Sequence, residues 1–460
     1  QVYKPVDYLV PKELECKIKI GSRVLVPFSS GNREIDGFCV CTADTSDSKR
    51  LKSIIRTAND SIGFDEDMLE LIEWMHKKYL ASYLDIIHTI VPSGTALKTK
   101  EWIILENKSE EKSEIRRRIT EILTDNGGSM EFKGLKEMCG VDIQNQVRAM
   151  IKEGTLKKEY RQSVDIKDKK IKCVKLICDR ETALESAEIL RRKAPVQAKM
   201  LEVLSENEYV SLADLQKFTN GSHSTVKALE KKNLVNVFDM TVERDPYWNR
   251  VFEKTEKMVP TPEQEYAIDE ITNSVKSGDG GIYLLHGVTG SGKTEVFMQT
   301  IENVINMGKS AIMLVPEISL TPQMVSRFMS RFGGRVAIFH SGLSAGERYD
   351  QWKKIRDGEA DIVIGARSAI FTPLKNIGVI IMDEEHSDTY KSDMSPRYHA
   401  RETAIFRASQ FGAAVVLASA TPSVESYYKA QTGEYKLLEM NTRYNKNKMP
   451  EISVINMRSE

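Results

Sequence analysis

Residues Gly287, Val288, Thr289, Gly290, Ser291, Gly292, Lys293 and Thr294 have the composition and spacing of a loop that holds phosphate. Glycines at 287, 290 and 292 let successive backbone N–H groups converge on β-phosphate oxygens, and a following helix adds the partial positive charge of its N-terminus. In such a loop Lys293 reaches the β- and γ-phosphates and the Thr294 hydroxyl takes a place on Mg²⁺, so the ligand this pattern implies is ATP with Mg²⁺. A second constellation, Asp383-Glu384-Glu385-His386, directly follows the apolar run Val379-Ile380-Ile381-Met382. Asp383 at a strand end can complete the Mg²⁺ shell, and Glu384 can orient and deprotonate an attacking water. An acidic cluster can also be a plain partner for a helix dipole. Its place after a buried strand and downstream of the phosphate loop favours Asp383, Glu384 and Lys293 as the catalytic set.

Weaker signals lie around these two. The amide of Gln264, one helix upstream of the loop, could exchange two hydrogen bonds with an adenine edge, although a helix-surface glutamine is the plainer reading. Ser419-Ala420-Thr421-Pro422 follows the strand-like Val415 to Ala418 and can bring small hydroxyls to the γ-phosphate or to Asp383 and Glu384. Between them, the stretch from Ser387 to Arg401 carries Tyr390 and Tyr398 as platforms for base stacking, with Lys391, Arg397 and Arg401 as phosphate partners.

The elements that must position these residues are legible in outline. From Pro260 onward, apolar segments (Gly281 to Leu285, Ser310 to Val315, Arg335 to Phe339, Asp361 to Ile364, Val379 to Met382, Ala414 to Leu417) alternate with amphipathic helices. That order predicts a parallel sheet flanked by helices, with function at the strand ends. Before it, Gln197 to Leu204, Leu212 to Phe218 and Ser224 to Lys231 read as three helices, and Val235 to Val242 as an extended wing. This is the winged-helix plan, and Arg116 to Val164 repeats it more faintly. Winged helices dock proteins as readily as they read bases, so both roles stay open, and Lys167 to Lys170 reads as a solvated wing tip. Residues 2–99 are short alternating segments around Tyr8, Val24 and Val40, which predict a small β-barrel closed by one helix through Met68 and Met75 and ended at Pro92-Ser93-Gly94. The expected organisation is multidomain α/β: a β-rich module over 1–105, a winged-helix region over 110–250 and a RecA-like phosphate-loop lobe over 258–445.

Composition limits the alternatives. The chain has 460 residues, 41% hydrophobic and 29% charged, which excludes a disordered chain or a disulfide-stapled miniature and fits about three domains. Lys and Arg total 66 against 66 Asp and Glu, so nucleic-acid binding must be local rather than the work of a whole-molecule basic field. The six cysteines contain no Cys-x-x-Cys pair, which points away from zinc and toward a reducing cytoplasm. No run approaches the ~18 apolar residues of a membrane span, so neither anchor nor signal peptide is expected. Gln1 in place of Met suggests a trimmed or processed end.

In this order the motifs resemble those of superfamily 2 helicases, and within them the primosomal protein N′ family of bacterial replication-restart helicases. The resemblance rests on Gly287 to Glu295, Leu314 to Gln323, Ile364 to Pro373 and Asp383 to Glu402, with Val6 to Pro11 and Arg23 to Phe28 at the other end. It implies an ATP-dependent 3′-to-5′ DNA helicase that recognises stalled or abandoned forks and starts primosome assembly. By the same resemblance the loop after Asp383 senses single-stranded DNA, Arg367 and Ser368 touch the tracked strand, and His386, Ser419 and Thr421 couple the two sites. Asp7 and Lys52 match residues of a pocket for a nascent 3′ end, with departures at Val6, where the family often has Phe, and at Ser29, where it often has Gly. The implied partners are forked and single-stranded DNA, the single-stranded-DNA-binding protein, primosome loading proteins and the replicative helicase loader, with no membrane. The family's second motor lobe, its arginines and its zinc-binding cysteines have no counterpart here. Zn²⁺ is thus implied by the resemblance alone, and hydrolysis by this fragment is expected to be poor, since a missing arginine finger costs on the order of 10³–10⁵ in rate. Two rival readings remain. A superfamily 2 translocase on duplex DNA would be indifferent to loss of Tyr390 or Tyr398, and a winged-helix regulator with a nucleotide switch would bind blunt duplex sequence-specifically.

Overall fold

The computed structural model describes residues 5–28, 33–48, 50–57, 63–91, 97–107, 113–164, 169–242, 244 and 254–444. They fall into two compact units, one made of 1–166 with 250–460 and the other of 167–249.

The first unit begins with five short strands: β1 (Tyr8–Leu9), β2 (Arg23–Phe28), β3 (Arg33–Phe38), β4 (Lys52–Ser53) and β5 (Arg56–Thr57). β2 is the middle of the antiparallel sheet β3-β2-β5, and β1 runs parallel to β4. Val24 and Val26 alternate inward along β2 and bury themselves with Ile18 and Ile54 in a small core. Arg23, itself buried, is held across the β2–β3 pair by Asp36, with Nε 2.9 and 2.8 Å from the two carboxylate oxygens.

The single closing helix expected here is two helices, α1 (Glu66–Tyr79) and α2 (Tyr83–Ile90). α1 ends at Leu80, which takes the left-handed conformation at φ 51, and Ser82 caps α2 by accepting the Asp85 N–H at 3.2 Å. Both helices share a core with the phosphate-loop lobe: Leu71, Ile72, Met75 and Ile86 are buried in one cluster with Phe371, Ile380 and Ala404. Trp74 stacks on Phe406 at 4.6 Å, the Tyr79 hydroxyl donates to Glu402 Oε2 at 2.9 Å, and Gln410 donates to the Asp67 carbonyl at 2.8 Å. The N-terminal module is therefore fused to the lobe through α1 and α2, which a division at 105 hides. The break expected at Pro92-Ser93-Gly94 lies outside the described residues.

β6 (Leu97–Leu105), α3 (Glu114–Asp125), β7 (Ser129–Glu131), α4 (Phe132–Cys139), α5 (Gln144–Lys152) and β8 (Leu156–Val164) follow. β6 pairs with β8 from Leu97 opposite Val164 to Leu105 opposite Leu156, so residues 97–105 belong with this helical module rather than with the strands before it. Ile103, Ile119, Leu123, Leu135 and Met150 form its core.

The second unit has the order β9 (Lys169–Leu176), α6 (Arg180–Leu190), α7 (Pro195–Ser205), β10 (Val210–Ser211), α8 (Leu212–Thr219), α9 (His223–Lys231) and β11 (Val235–Val242). β9 lies between β10 and β11, antiparallel to both. Val174, Leu201, Leu215 and Leu229 are fully or almost fully buried between the sheet and the helices. Asn220 at φ 54 ends α8, and reciprocal bonds between Ser222 and Thr225 start α9. Of the charge run read as a wing tip, Lys169 and Lys170 open β9, while Lys167 and Asp168 lie outside the described residues.

The lobe closes the chain: α10 (Pro262–Ser277), β12 (Gly281–Gly287), α11 (Lys293–Asn306), β13 (Ser310–Leu314), α12 (Pro322–Phe332), β14 (Val336–Phe339), α13 (Ala345–Arg356), β15 (Ile362–Gly365), β16 (Ile377–Asp383), α14 (Ala400–Ser409), β17 (Ala414–Ser419), α15 (Val424–Gln431) and β18 (Lys436–Met440). Seven parallel strands pair in the order β14-β15-β13-β16-β17-β12-β18. The six expected strands are all present and the seventh, β18, sits at the edge beside β12. Every residue of β13, β14, β15 and β17 is buried, as a sheet covered on both faces requires.

Candidate active site

Because the strands are parallel and β17 pairs with both β12 and β16, the three chain segments that leave them emerge at one edge of the sheet. The phosphate loop follows β12, Ser419 ends β17 and Asp383 ends β16. Gly290 and Gly292 have φ of 83 and 85, the left-handed region that lets backbone N–H groups turn inward. A Cβ at Gly292 would also stand 2.3 Å from Gln264 Nε2, so no larger residue fits against that side chain.

Lys293 opens α11 and donates from Nζ to the Gly287 carbonyl at 2.7 Å. Burial lowers its pKa, and the nearby charges of Glu384 and Asp383 work the other way. Asp383 is pushed up to about 6 by burial and by the neighbouring Glu384, with Lys293 opposing. A carboxylate this reluctant to stay charged gains from a cation beside it. Asp383, together with the Thr294 hydroxyl at the start of α11, therefore fits a divalent ion such as Mg²⁺, which would polarise phosphate oxygens and neutralise developing charge. Glu384 has φ 48, uncommon for a residue with a side chain, and its N–H bonds Asp383 Oδ1 at 3.1 Å. The buried Ser291 hydroxyl within the loop has no protein partner among the described residues.

Gln264, expected to read an adenine edge, has both ends of its amide engaged within the protein. It is 1% exposed, its Oε1 accepts the Thr261 N–H at 2.8 Å, and its Nε2 donates to the Ser291 carbonyl at 2.8 Å. In this arrangement the side chain is a brace that ties the start of α10 to the phosphate loop. Sequence reasoning missed the segment on the loop's other flank. Val288 N–H donates to the Met440 carbonyl at 3.1 Å and Tyr444 N–H to the Gly290 carbonyl at 2.9 Å, while the Thr442 hydroxyl donates to Glu263 Oε2 at 2.9 Å. No motif marks residues 440–444; only their place after an edge strand does.

The segments after β16 and β17 are cross-linked. His386 Nδ1 lies 2.8 Å from Ser419 Oγ and 3.6 Å from Glu384 Oε2, and Thr421 N–H donates to the same Ser419 oxygen at 2.9 Å. The three residues expected to couple the sites are thus brought together. Glu385, 1% exposed, accepts from Ser423 N–H at 2.6 Å, Ser426 Oγ at 2.8 Å and Arg401 at 3.1 Å. Arg401, expected on phosphate, is engaged by this carboxylate and by the hydroxyls of Ser423 and Ser426.

The loop from Ser387 to Arg401 differs most from expectation. Tyr390 is fully buried and Tyr398 is 3% exposed, so neither presents a face to a base; the reason is that both rings fill the lobe's core. The Tyr390 hydroxyl donates toward the Leu314 and Asp383 carbonyls, and Tyr398 packs edge-on to Phe371 at 4.9 Å. Burial raises the pKa of both phenols. Arg367 donates to the Thr389 carbonyl at 3.2 Å and to the Lys391 carbonyl, so it holds this loop rather than projecting toward a DNA strand. Ser368 is half-buried, and Lys391 and Arg397 are exposed.

At the N-terminal end, Tyr8 stands opposite Lys52 in the β1–β4 pair, which puts Asp7 and Lys52 at adjacent positions. Asp7 is exposed and accepts from Ser46 Oγ at 2.5 Å. Val6 is exposed and Ser29 lies outside the described residues. Among the described residues no group of three or more His, Cys, Asp or Glu is placed to hold a metal ion, and no helix is long and apolar enough to cross a membrane.

Comparison with known proteins gives two matching family models, a 3′ DNA-binding domain over residues 1–92 and a DEAD/DEAH box helicase over residues 261–430. The replication restart protein PriA of Bacillus subtilis is 39% identical over 99% of this chain and 56% of its own length. PriA of Synechocystis is 32% identical over 98% of this chain and 55% of its own length. The chain thus spans about half the length of the curated relatives it matches. Among solved structures, RecG bound to a three-way DNA junction is 26% identical over 42% of this chain and 24% of that one, with a TM-score of 0.31.

Proposed function

We propose, from the premise that the chain belongs to the PriA family of replication restart proteins, that it is the DNA-recognising half and first motor lobe of an ATP-dependent 3′-to-5′ helicase. Its role is to find stalled or abandoned replication forks in the bacterial cytoplasm and to start primosome assembly there. The observation that carries this reading is the meeting of Lys293, at the start of α11, with Asp383 and Glu384 at the end of β16, in the same compact unit as the module matched by the 3′ DNA-binding domain.

In this reading the loop from Gly287 to Thr294 cradles the polyphosphate through backbone N–H groups, braced from behind by Gln264. Lys293 exchanges its bond to the Gly287 carbonyl for phosphate oxygens. Glu384 positions and deprotonates the attacking water, and Thr294 and Asp383 would hold Mg²⁺, which would supply neutralisation of the phosphates. The bond between His386 and Ser419 links that chemistry to the Ser419–Thr421 turn. Asp7, just before β1, and Lys52, which opens β4 opposite Tyr8, would accept and flank a 3′-terminal hydroxyl, with the five short strands acting as a small barrel. The two helical modules, the first with three helices and the second with four, each beside a three-stranded sheet, act as winged helices. Lys391 and Arg397 remain the exposed cations of the loop that senses single strands. Partners in this reading are forked and single-stranded DNA, the single-stranded-DNA-binding protein and primosome loading proteins.

The test is fluorescence anisotropy of this chain on a synthetic fork whose leading strand ends either in a free 3′-hydroxyl or in a 3′-phosphate, at one salt concentration because charge contacts shift with salt. A preference for the hydroxyl that Asp7→Ala abolishes supports the reading. Equal binding to both ends sinks the end-recognition half of it.

A further inference from the structure

We infer that Arg443, a residue outside every motif of the phosphate loop, is a nucleotide-binding residue that supplies a second side-chain cation to the bound polyphosphate. The inference rests on the nucleotide reading of the site above and adds to it a residue from the far end of the lobe.

Its position comes from the edge strand. β18 lies beside β12, and the chain beyond it is tied to the phosphate loop at two points, Val288 N–H to the Met440 carbonyl and Tyr444 N–H to the Gly290 carbonyl. A third tie, from the Thr442 backbone and hydroxyl to Glu263, anchors the same segment to the start of α10. Arg443 sits between the second and third ties, and a Cβ built on Gly290 would lie 4.0 Å from its Cγ. The side chain is therefore carried to the rim of the loop on a backbone fixed at both neighbouring residues.

Its chemistry is that of a cation without a counterion. Nε is shielded from solvent and meets no acceptor, and no carboxylate pairs with the guanidinium among the described residues. Arg348 and Arg407, whose Nε atoms also meet no acceptor, still place an outer nitrogen on the His340 carbonyl at 3.1 Å and the Thr372 carbonyl at 2.6 Å, and Arg331 and Arg401 pair with Glu302 at 3.0 Å and Glu385 at 3.1 Å. Glu263, a carboxylate on this flank, has its Oε2 taken by Thr442. A shielded guanidinium N–H left without an acceptor is costly, and next to a cradle of phosphate-directed N–H groups the group that would satisfy it is a phosphate oxygen. The unpartnered Ser291 hydroxyl in the same loop has the same need.

The experiment uses the 460-residue chain and two probes at one salt concentration: a fluorescent ADP read by anisotropy, and inorganic tripolyphosphate as its competitor. Arg443→Gln should weaken both by about ten-fold, the scale of one lost charge-assisted hydrogen bond, and Arg443→Lys should restore part of the loss. Lys293→Ala should abolish binding of both. Binding of both probes by Arg443→Gln at parental strength, with Lys293→Ala still inactive, overturns the inference and leaves the nucleotide reading intact. A loss confined to the fluorescent ADP overturns the assignment to phosphate. Failure of the parent chain to bind either probe removes the nucleotide reading and this inference with it. Independently of any variant, ADP should slow modification of Arg443 by phenylglyoxal in the parent chain, read by peptide mass; an unchanged rate overturns the inference.

Discussion

The hydroxyl of Tyr390 stands 2.5 Å from the main-chain oxygen of Asp383 and 3.1 Å from that of Leu314. Leu314 ends β13 and Asp383 ends the adjacent β16, so this hydroxyl sits where the ladder between the two strands stops. Beyond that point the chain turns away at Pro316 on one side and at the left-handed Glu384 on the other. Both residues are the last of their strands to pair, Leu314 with Met382 and Asp383 with Ala418, and a buried carbonyl can take a further donor there. Tyr390 provides one, and in doing so fixes the backbone that carries Asp383.

Tyr390→Phe should therefore cost about 1–3 kcal/mol of stability, the range for leaving a buried polar group unsatisfied. Urea unfolding of the two proteins measures it. Affinity for an oligothymidylate should be unchanged, because the ring is buried in either form. An unchanged urea midpoint with weakened oligothymidylate binding would return Tyr390 to the stacking role its sequence context suggested.

Arg367 acts on the same loop from the other side, through the carbonyls of Thr389 and Lys391 that flank Tyr390. Arg367→Gln removes a clamp on an external loop, so backbone amides over 388–399 should exchange faster with deuterium while those of β13 and β16 stay protected. Equal exchange in variant and parent would mean that Arg367 contributes nothing to loop order and is available for another partner.

Much of this was legible in the sequence, and the exceptions have physical causes. The phosphate loop and Asp383-Glu384 were readable because their chemistry needs fixed residue types at fixed spacing beside apolar strands. β18 was not: Lys436-Leu437-Leu438-Glu439-Met440 is an edge strand with two exposed charged residues and gives neither a clean alternation nor an apolar run. Tyr390 and Tyr398 were misplaced because an aromatic residue beside Lys and Arg reads the same whether its ring points into the core or out to a base. The brace made by Gln264 was hidden for a related reason: a capping glutamine and a base-reading glutamine differ in partner, not in sequence. The fusion of α1 and α2 with the lobe was invisible because burial against a distant segment leaves no mark on local periodicity.

Asp383 makes the site's electrostatic strain measurable. Its folded pKa of about 6 stands above the ordinary aspartate value of about 3.9. Below pH 4 the group is protonated in both states and the folded state keeps the full advantage of holding that proton. As the pH rises through 6 the advantage is lost, because the folded chain must carry a charge that burial and Glu384 disfavour. Asp383→Asn stays neutral throughout, so its stability relative to the parent should rise by about 2–3 kcal/mol between pH 4 and pH 7.5. Thermal melting at the two pH values checks this, and added Mg²⁺ should narrow the gap at pH 7.5. A pH-independent difference would mean that Asp383 titrates as an ordinary surface carboxyl.

Gln264 offers a test that separates bracing from base recognition. Its amide bonds Thr261 N–H and the Ser291 carbonyl at once, and it lies so close to Gly292 that a Cβ there would stand 2.3 Å from Nε2. Gln264→Ala should loosen the phosphate loop as a whole, weakening ADP and inorganic tripolyphosphate by the same factor, about ten-fold for one buried brace. A glutamine that read the adenine edge would behave differently, since tripolyphosphate has no base to lose. Selective loss of ADP, with tripolyphosphate binding untouched, would show that the amide leaves its bonds to Thr261 and Ser291 when nucleotide arrives, and the brace would then be a feature of the empty loop alone.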